Sequence, residues 1–491
     1  MSKQKSSVNL PSLAFKMMQD RGFVVSPQAQ AMAEAKAAQQ SGDPKLVAGL
    51  KDQTNLLWSS IDNQESRDLD QIEYVEKLDN GDFRLLVGIA DVDSMVPKGS
   101  AIDHDAFQNG TSVYTGVRVF PMLPEELSTD KTSLIENADR YCVVVDMIIG
   151  TNGDTKSADA YLALVRNKAK LAYNSVSDWF DNGRTLDKLA AVSGLEEQLK
   201  LQEELHQRLR HLQVQNGALG IQTLEAQPVA VDGVVIGLEL TEDNRARDII
   251  QTFMVTANSA LSSYMHEHNV PVIQRVVRKP ERWPRLVDLA KTFNYILPEE
   301  ADAPALAKFV ADRRAKDPVH FPDLSLSVVK LLGPGQYVVQ APGQPSTGHF
   351  GLAMHDYTHA TAPNRRYCDL ATQRIVKALV LGKPCPYSVE ELETIATQCM
   401  LREEEARKVE RYMRKAAAAV LLSSHIGETY KAIVTGASEK GTYVRLISPP
   451  AEGRVTVNEG NLDVGDKVTV KLIATNVEQG FIDFQCVNGP N

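Results

Sequence analysis

Three aspartates within nine residues, Asp62, Asp68 and Asp70, give this 491-residue chain its best opening for chemistry. They fall in the run Ser60-Ile61-Asp62-Asn63-Gln64-Glu65-Ser66-Arg67-Asp68-Leu69-Asp70-Gln71. An apolar lead-in ending Leu56-Leu57-Trp58 precedes it, and the apolar-rich stretch 83–90, predicted as a strand, follows. Carboxylates that converge on one point suit a hard divalent cation such as Mg2+. Two such ions about 3.5–4 Å apart can activate a water and stabilise a departing oxygen in phosphodiester cleavage. Taken alone, the run is a weak signal and reads more readily as a solvated acidic turn.

A second set of residues lies almost 300 positions later. Gly348-His349-Phe350-Gly351-Leu352-Ala353 reads as a tight turn carrying an imidazole and an aromatic ring. Tyr357 to Leu370 then presents Pro363, two adjacent guanidiniums, Arg365 and Arg366, and Tyr367 at the entry to a helix. Guanidinium forks match phosphate oxygens. The plainer reading is an arginine pair held internally by Asp369 and a neighbour. Further basic residues bunch at 275–282 (Arg275, Arg278, Lys279, Arg282) and 407–415 (Arg407, Lys408, Arg411, Arg414, Lys415).

The elements that must position these groups belong to a multidomain globular chain, with 43% hydrophobic and 24% charged residues. A net charge of −10 argues against a protein that coats nucleic acid indiscriminately, while leaving room for a local basic channel. No apolar run is long enough for a membrane span, and no apolar stretch behind Met1–Lys5 suggests a secretory signal. The five scattered cysteines form no C-x-x-C pair, which fits reduced thiols in a cytoplasmic protein and no zinc site. Residues 1–50 read as a helical segment, with a helix-turn-helix-like unit as one form it could take. Strands are predicted to dominate 55–165 and helices 168–218; a β-rich piece at 227–240, a helix from Asp248 to His266 and a long charged helix from Val389 to Ser423 follow. From 425 onward five short strands with Gly-bearing turns suggest a small barrel of the OB type.

With both motifs in view, the chain resembles the catalytic domain of the ribonuclease II family, the RNB domain. The family pattern GHFGLA…Y-x-H-x-T-S-P-I-R-R-Y-x-D-L is matched in most positions by 348–370, and I-D-x-x-x-S-x-D-L-D-D by 61–71 except at the last Asp. Thr111-Ser112-Val113-Tyr114, Pro121–Ser128, Lys168–Tyr173 and Phe253–Asn258 also fit, so the likeness spans roughly 55–420. The C-terminal barrel resembles the S1-type RNA-binding domain. The resemblance implies an α+β fold: an RNB catalytic domain at 51–424, with a mixed sheet surrounded by helices, then an S1-type OB-fold barrel at 425–491, behind a helical segment at 1–50. It also implies hydrolysis of single-stranded RNA from the 3′ end to nucleoside 5′-monophosphates, by a monomer using Mg2+, or Mn2+ in its place, and no other cofactor.

By matched position Asp62, Asp68 and Asp70 would form the metal and water-activating cluster, with Gln71 as a fourth, uncharged ligand, and Arg365 would clamp a phosphate. Tyr114 and Tyr173 would stack on nucleotides, and Arg366, His349, Phe350, Lys431, Lys440, Tyr443 and Arg445 would add RNA contacts. Gln71 is the main departure from the pattern, and an RNA-binding pseudo-enzyme with a weakened metal site is the rival reading. Glu73 shares a strand face with Gln71 and is a candidate to supply the missing charge. Ala362, Asn364 and Gln251-Thr252 also depart from it. Fifty residues leave no room for the family's usual pair of N-terminal cold-shock barrels, so a short bacterial variant is expected.

Overall fold

The structure, a computed structural model, describes residues 8–489 apart from 43, 48, 222–225, 232, 241–243, 319, 439–440 and 461. Two helices open it, α1 (Leu10–Asp20) and α2 (Ala29–Gln39). The main sheet follows: β1 (Lys51–Gln53), β2 (Ser59–Asp62), β3 (Gln71–Lys77) and β4 (Phe83–Ala90), then helix α3 (Ala101–Asn109) and the small ribbon β5 (Val113–Tyr114) and β6 (Val119–Phe120), then β7 (Asp139–Ile149), β8 (Thr155–Arg166) and β9 (Ala169–Ala172). Seven of these strands run in the order β1-β8-β7-β4-β3-β2-β9, parallel at β1–β8 and β2–β9 and antiparallel elsewhere. Central β4 and β7 are apolar on both faces because both are covered, as their near-continuous burial records.

Helices α4 (Tyr173–Asn182), α5 (Asp187–Ala191) and α6 (Leu195–Asn216) come next, then the hairpin β10 (Ala226–Val231) and β11 (Val234–Leu240) and the long helix α7 (Arg245–Glu267), capped by the Asn244 side chain. Strand β12 (Val272–Val276), helices α8 (Trp283–Thr292), α9 (Ala303–Lys316) and α10 (Phe321–Leu332), and β13 (Gln336–Gln340), which pairs with β12, form a satellite unit around Trp283, Leu286, Phe309 and Phe321. The 357–370 motif then leads into α11 (Tyr367–Val380). Helix α12 (Val389–Leu422) has 34 residues and is started by a Ser388–Glu391 capping box. At about 51 Å it acts as a spine, touching α1, α3, β5, the β10–β11 hairpin, β13 and the C-terminal barrel.

That barrel, β14 (Thr429–Ser438), β15 (Gly441–Leu446), β16 (Glu452–Val457), β17 (Lys467–Asn476) and β18 (Phe481–Asn488), is closed in the order β14-β15-β16-β18-β17. Its five strands fall where the turn spacing places them. The expected boundary at 424 is a chain boundary rather than a packing one: Ala418, Ala419 and Leu422 of α12 and Leu238 of β11 complete the barrel core. The opening segment also differs from expectation. Its helices do not form a helix-turn-helix unit, because α1 buries Leu10, Ala14 and Met18 with α12, whereas α2 buries Ala31 and Ala35 in the main core. Apolar residues on such short helices do not reveal which surface they will cover.

Candidate active site

Asp62 ends β2, and the loop from 63 to 70 returns the chain to β3. Ser133 fixes that loop: its hydroxyl accepts from the Leu69 N–H at 2.9 Å and donates to the Arg67 carbonyl at 2.6 Å, while the Leu134 N–H reaches the Leu69 carbonyl. Asn63 N–H and the Ser66 hydroxyl donate to Asp62 Oδ1 at 2.7 and 2.9 Å. The Tyr114 hydroxyl donates to Asp68 Oδ2 at 2.9 Å. The sequence spacing thus becomes one acidic edge at the end of the β2–β3 pair.

Asp70 is where the two distant motifs meet. Its side chain is 2% exposed; Oδ1 accepts the Asn364 N–H at 2.8 Å, and Oδ2 lies 3.3 Å from Arg365 Nε. The loop that delivers these groups is itself anchored. Asn364 is buried and exchanges two hydrogen bonds with Thr132, 2.5 Å from the Thr132 hydroxyl to its Oδ1 and 3.2 Å from its Nδ2 to the Thr132 carbonyl. Asp369 Oδ1 accepts from the Ala362 N–H and from Arg366 Nη2. Gly110, at φ +66°, ends α3 so that its carbonyl takes the Tyr367 N–H and Ser112 N–H reaches the Arg365 carbonyl. A side chain there would drive its Cβ to 2.8 Å from Arg402 Cβ.

Burial pushes the Asp70 carboxyl up to about 7, against the pull of Arg365 and the Asn364 N–H and with the repulsion of Asp68 and Asp369. Burial likewise raises Asp62, opposed by Asn63, Ser66 and Arg365. Glu73, fully buried beside them on β3, is held well above the ordinary range by burial and then by Asp62. Carboxylates this poorly compensated favour a cation. Among the described residues no three or more His, Cys, Asp or Glu side chains already close into a metal cage. Asp62, Asp68 and Asp70 are nevertheless the hard oxygen donors that a divalent ion would use. Gln71 starts β3 half-buried, and its side chain has no hydrogen-bond partner among the described residues.

The other expected contacts separate into two groups. Tyr114 is 41% exposed, with its backbone N–H on Glu410 of α12, and Tyr173 begins α4 with the Arg247 guanidinium 5.2 Å over its ring. Lys431 and Tyr443 are exposed on the barrel, and Lys440 lies outside the described residues. Arg366 instead pairs with fully buried Asp369 at 2.6 Å, the plainer reading allowed for it. His349 accepts the Leu352 N–H and packs edge-on to Tyr357, Phe350 packs on Trp283, and Arg445 pairs with Asp323 of α10. The motifs assign no role to Asn364, Thr132, Ser133 or Arg247. Asn364 leaves a trace in being polar where the pattern is apolar, but its partner lies 232 residues away.

Comparison with known proteins matches two regions of the chain. Residues 50–382 match the RNB domain and residues 428–487 the RNase II-type exonuclease C-terminal S1 domain. The chain is 27% identical over 486 residues to Ribonuclease R 1 of Lactococcus lactis, a match that takes in 92% of this chain but 58% of that relative's length. In fold it is similar to Mycoplasma genitalium RNase R in complex with ribose methylated single-stranded RNA (TM-score 0.87, 22% identity, 98% of this chain and 78% of that one). It is also similar to yeast Ssd1, a pseudonuclease (TM-score 0.70, 17% identity, 94% of this chain and 58% of that one). With the matched domain covering both the acidic edge and the arginine loop that meets it, the chain belongs to the RNB-domain family.

Proposed function

We propose that this protein hydrolyses single-stranded RNA from the 3′ end and releases nucleoside 5′-monophosphates, with Mg2+ held by Asp62, Asp68, Asp70 and the Gln71 amide oxygen. The observation that carries the reading is the buried carboxylate of Asp70, engaged at once by the Asn364 N–H and by Arg365. When bound, the divalent ion supplies Lewis acidity and a water acidic enough to attack phosphorus. The chain's own residues do the rest. Arg365 is 43% exposed and meets Asp70 through Nε at 3.3 Å, and its exposed guanidinium can grip a phosphate and offset charge gathering on its oxygens. Asp68 fixes the hydroxyl of Tyr114, whose half-exposed ring offers a stacking surface for a base, and Tyr173 offers a second.

RNA as the substrate class is supported by more than the family. A cleft of about 830 Å3 along α12 is lined by Arg407, Lys408, Arg411 and Arg414 interleaved with Glu403, Glu404 and Glu410, and Arg407 and Lys408 are ion-paired with glutamates of the same helix. Glu410 of that lining also holds the Tyr114 backbone, which ties the cleft to the site. The Mycoplasma genitalium protein was seen with single-stranded and with double-stranded RNA. The test is an RNA labelled at its 3′-terminal nucleotide: the first labelled product is expected to be a nucleoside 5′-monophosphate. Longer labelled fragments that retain the 3′ end, appearing first, would overturn the exonucleolytic reading.

A second reading is favoured by Gln71 and by the likeness to a pseudonuclease: RNA binding without cleavage. It requires that bound RNA stay intact at every Mg2+ and Mn2+ concentration.

A further inference from the structure

Glu73 lies two residues beyond Gln71 on β3, so both side chains project from one face of the strand. The Glu73 side chain is fully buried, and neither of its carboxylate oxygens has a hydrogen-bond partner. Opposite it across the β2–β3 pair is Ser59, whose hydroxyl accepts from Gln202 Nε2 of α6 at 3.3 Å. Gln202 is also fully buried, and its Oε1 is likewise unpartnered. Three buried acceptor oxygens therefore sit in neighbouring side chains without a donor. An isolated buried carboxylate is among the costliest arrangements in a fold, and a cation is the group that satisfies such a set.

The position agrees. Ser59, the register partner of Glu73, lies three residues before Asp62 on the four-residue strand β2, so Glu73 borders the Asp62 end of the acidic edge, and the Asp62 charge bears on it. Gln71, on the same strand face, brings a neutral amide where a divalent ion calls for charge. One pleat along a strand is about 6.6 Å, and glutamate reaches one methylene further than aspartate.

We propose that Glu73 is a cation-binding carboxylate of the Asp62–Asp68–Asp70 site, supplying from one pleat along β3 the negative charge that Gln71 lacks. This rests on the metal site proposed above. It makes the site a rearranged one, with its charge moved along a strand, rather than a weakened one.

Mn2+ binding to the full-length chain, followed by the electron paramagnetic resonance of free Mn2+ and without RNA, tests this directly. Glu73→Gln is expected to raise the Mn2+ dissociation constant by about tenfold or more. Adding Gln71→Asp to that variant is expected to recover most of the loss. Glu73→Asp, which keeps the charge but withdraws it by one methylene, is expected to fall between. Thermal melting gives a second readout: without metal Glu73→Gln should melt at or above the parent, and saturating Mn2+ should raise its Tm less than the parent's. Parent-like Mn2+ affinity in both Glu73 variants overturns the proposal, and Glu73→Asp keeps the test open if Glu73→Gln fails to fold. A parent that binds Mn2+ and cleaves RNA, with both Glu73 variants unaffected, defeats the role of Glu73 alone. A parent that neither binds Mn2+ nor cleaves RNA defeats this proposal together with the reading it rests on.

Discussion

Asp70 and Arg365 answer to different tests, although they touch. Asp70→Asn keeps the shape of the side chain and its hydrogen bond from the Asn364 N–H but removes the charge. Cleavage is expected to be lost while RNA affinity stays within about threefold, because binding is spread over many phosphates and stacked bases. Filter binding and cleavage on one preparation measure both. Arg365→Lys is expected to lower turnover by about 10²–10³, the scale for removing a charge-assisted hydrogen bond to a developing oxyanion, because a point charge does not reproduce a planar fork. A Lys variant with near-parental turnover would make Arg365 a structural partner of Asp70 only. Both residues are legible in the sequence because they sit in dense local motifs. The opposite fates of Arg365 and Arg366 are not, since adjacent residues at a helix entry point to different sides and only the packed structure shows which guanidinium meets Asp369.

At the scale of elements, the loop from 357 to 366 is held by buried polar groups whose partners come from elsewhere in the chain. Asn364→Ala removes its side chain's two hydrogen bonds and takes the Asn364 Nδ2 donor from the buried Thr132 carbonyl, while the Thr132 hydroxyl keeps the Leu127 carbonyl; the expected loss is about 1–3 kcal/mol. Because the loop carries both the backbone N–H that Asp70 accepts and Arg365, turnover should fall more than substrate affinity. Urea unfolding with steady-state kinetics separates the two effects.

The same region stores a pH dependence. His359 faces the Tyr337 hydroxyl at 2.8 Å, the Tyr357 ring, and the charges of Arg366, Arg275, His349 and Arg365. Burial and then these arginines hold it well below the ordinary value, and burial and Arg275 hold His349 at about 4. Both are neutral in the fold, whereas the unfolded chain protonates them near pH 6.5. The contribution of these two histidines is therefore complete above pH 6.5 and declines as the pH falls from 6.5 toward 4, whereas the raised Asp70 carboxyl contributes in the opposite direction over that range. Between pH 7.5 and 5.5, His359→Gln should lose less unfolding free energy than the parent; an equal loss would place the dependence elsewhere. Strand and helix positions in this part of the chain follow from periodicity, but these buried partnerships do not, because hydrogen bonds across 20 to 230 residues leave no local pattern.

Over the whole molecule, a chain of net charge −10 that holds RNA must do so through local basic residues. The basic run on α12 is visible in the sequence at 407–415, and the barrel shows as a change of character after residue 425. The packing of the barrel onto α12 is not visible there, because Ala418, Ala419 and Leu422 read as ordinary interior positions of a long helix. For that reason Lys431→Ala and Tyr443→Ala test the barrel better than truncation near His425, which would expose that seam. Each is expected to weaken RNA binding without abolishing cleavage, and each phosphate that a variant no longer neutralises should lower the salt slope by about 0.7. Unchanged affinity and slope would assign the barrel face to another partner. Among the described residues no helix is long and apolar enough to cross a membrane.

The central claim is that the Asp62–Asp68–Asp70 edge and Arg365 form a metal-dependent centre that shortens RNA from its 3′ end. The most direct measurement follows a 5′-labelled single-stranded RNA on a denaturing gel with Mg2+, with Mg2+ plus excess chelator, and with Asp70→Asn. Labelled RNA is expected to shorten to a ladder or a short end product in the first reaction alone. RNA that binds the protein yet keeps its full length with Mg2+ would contradict it.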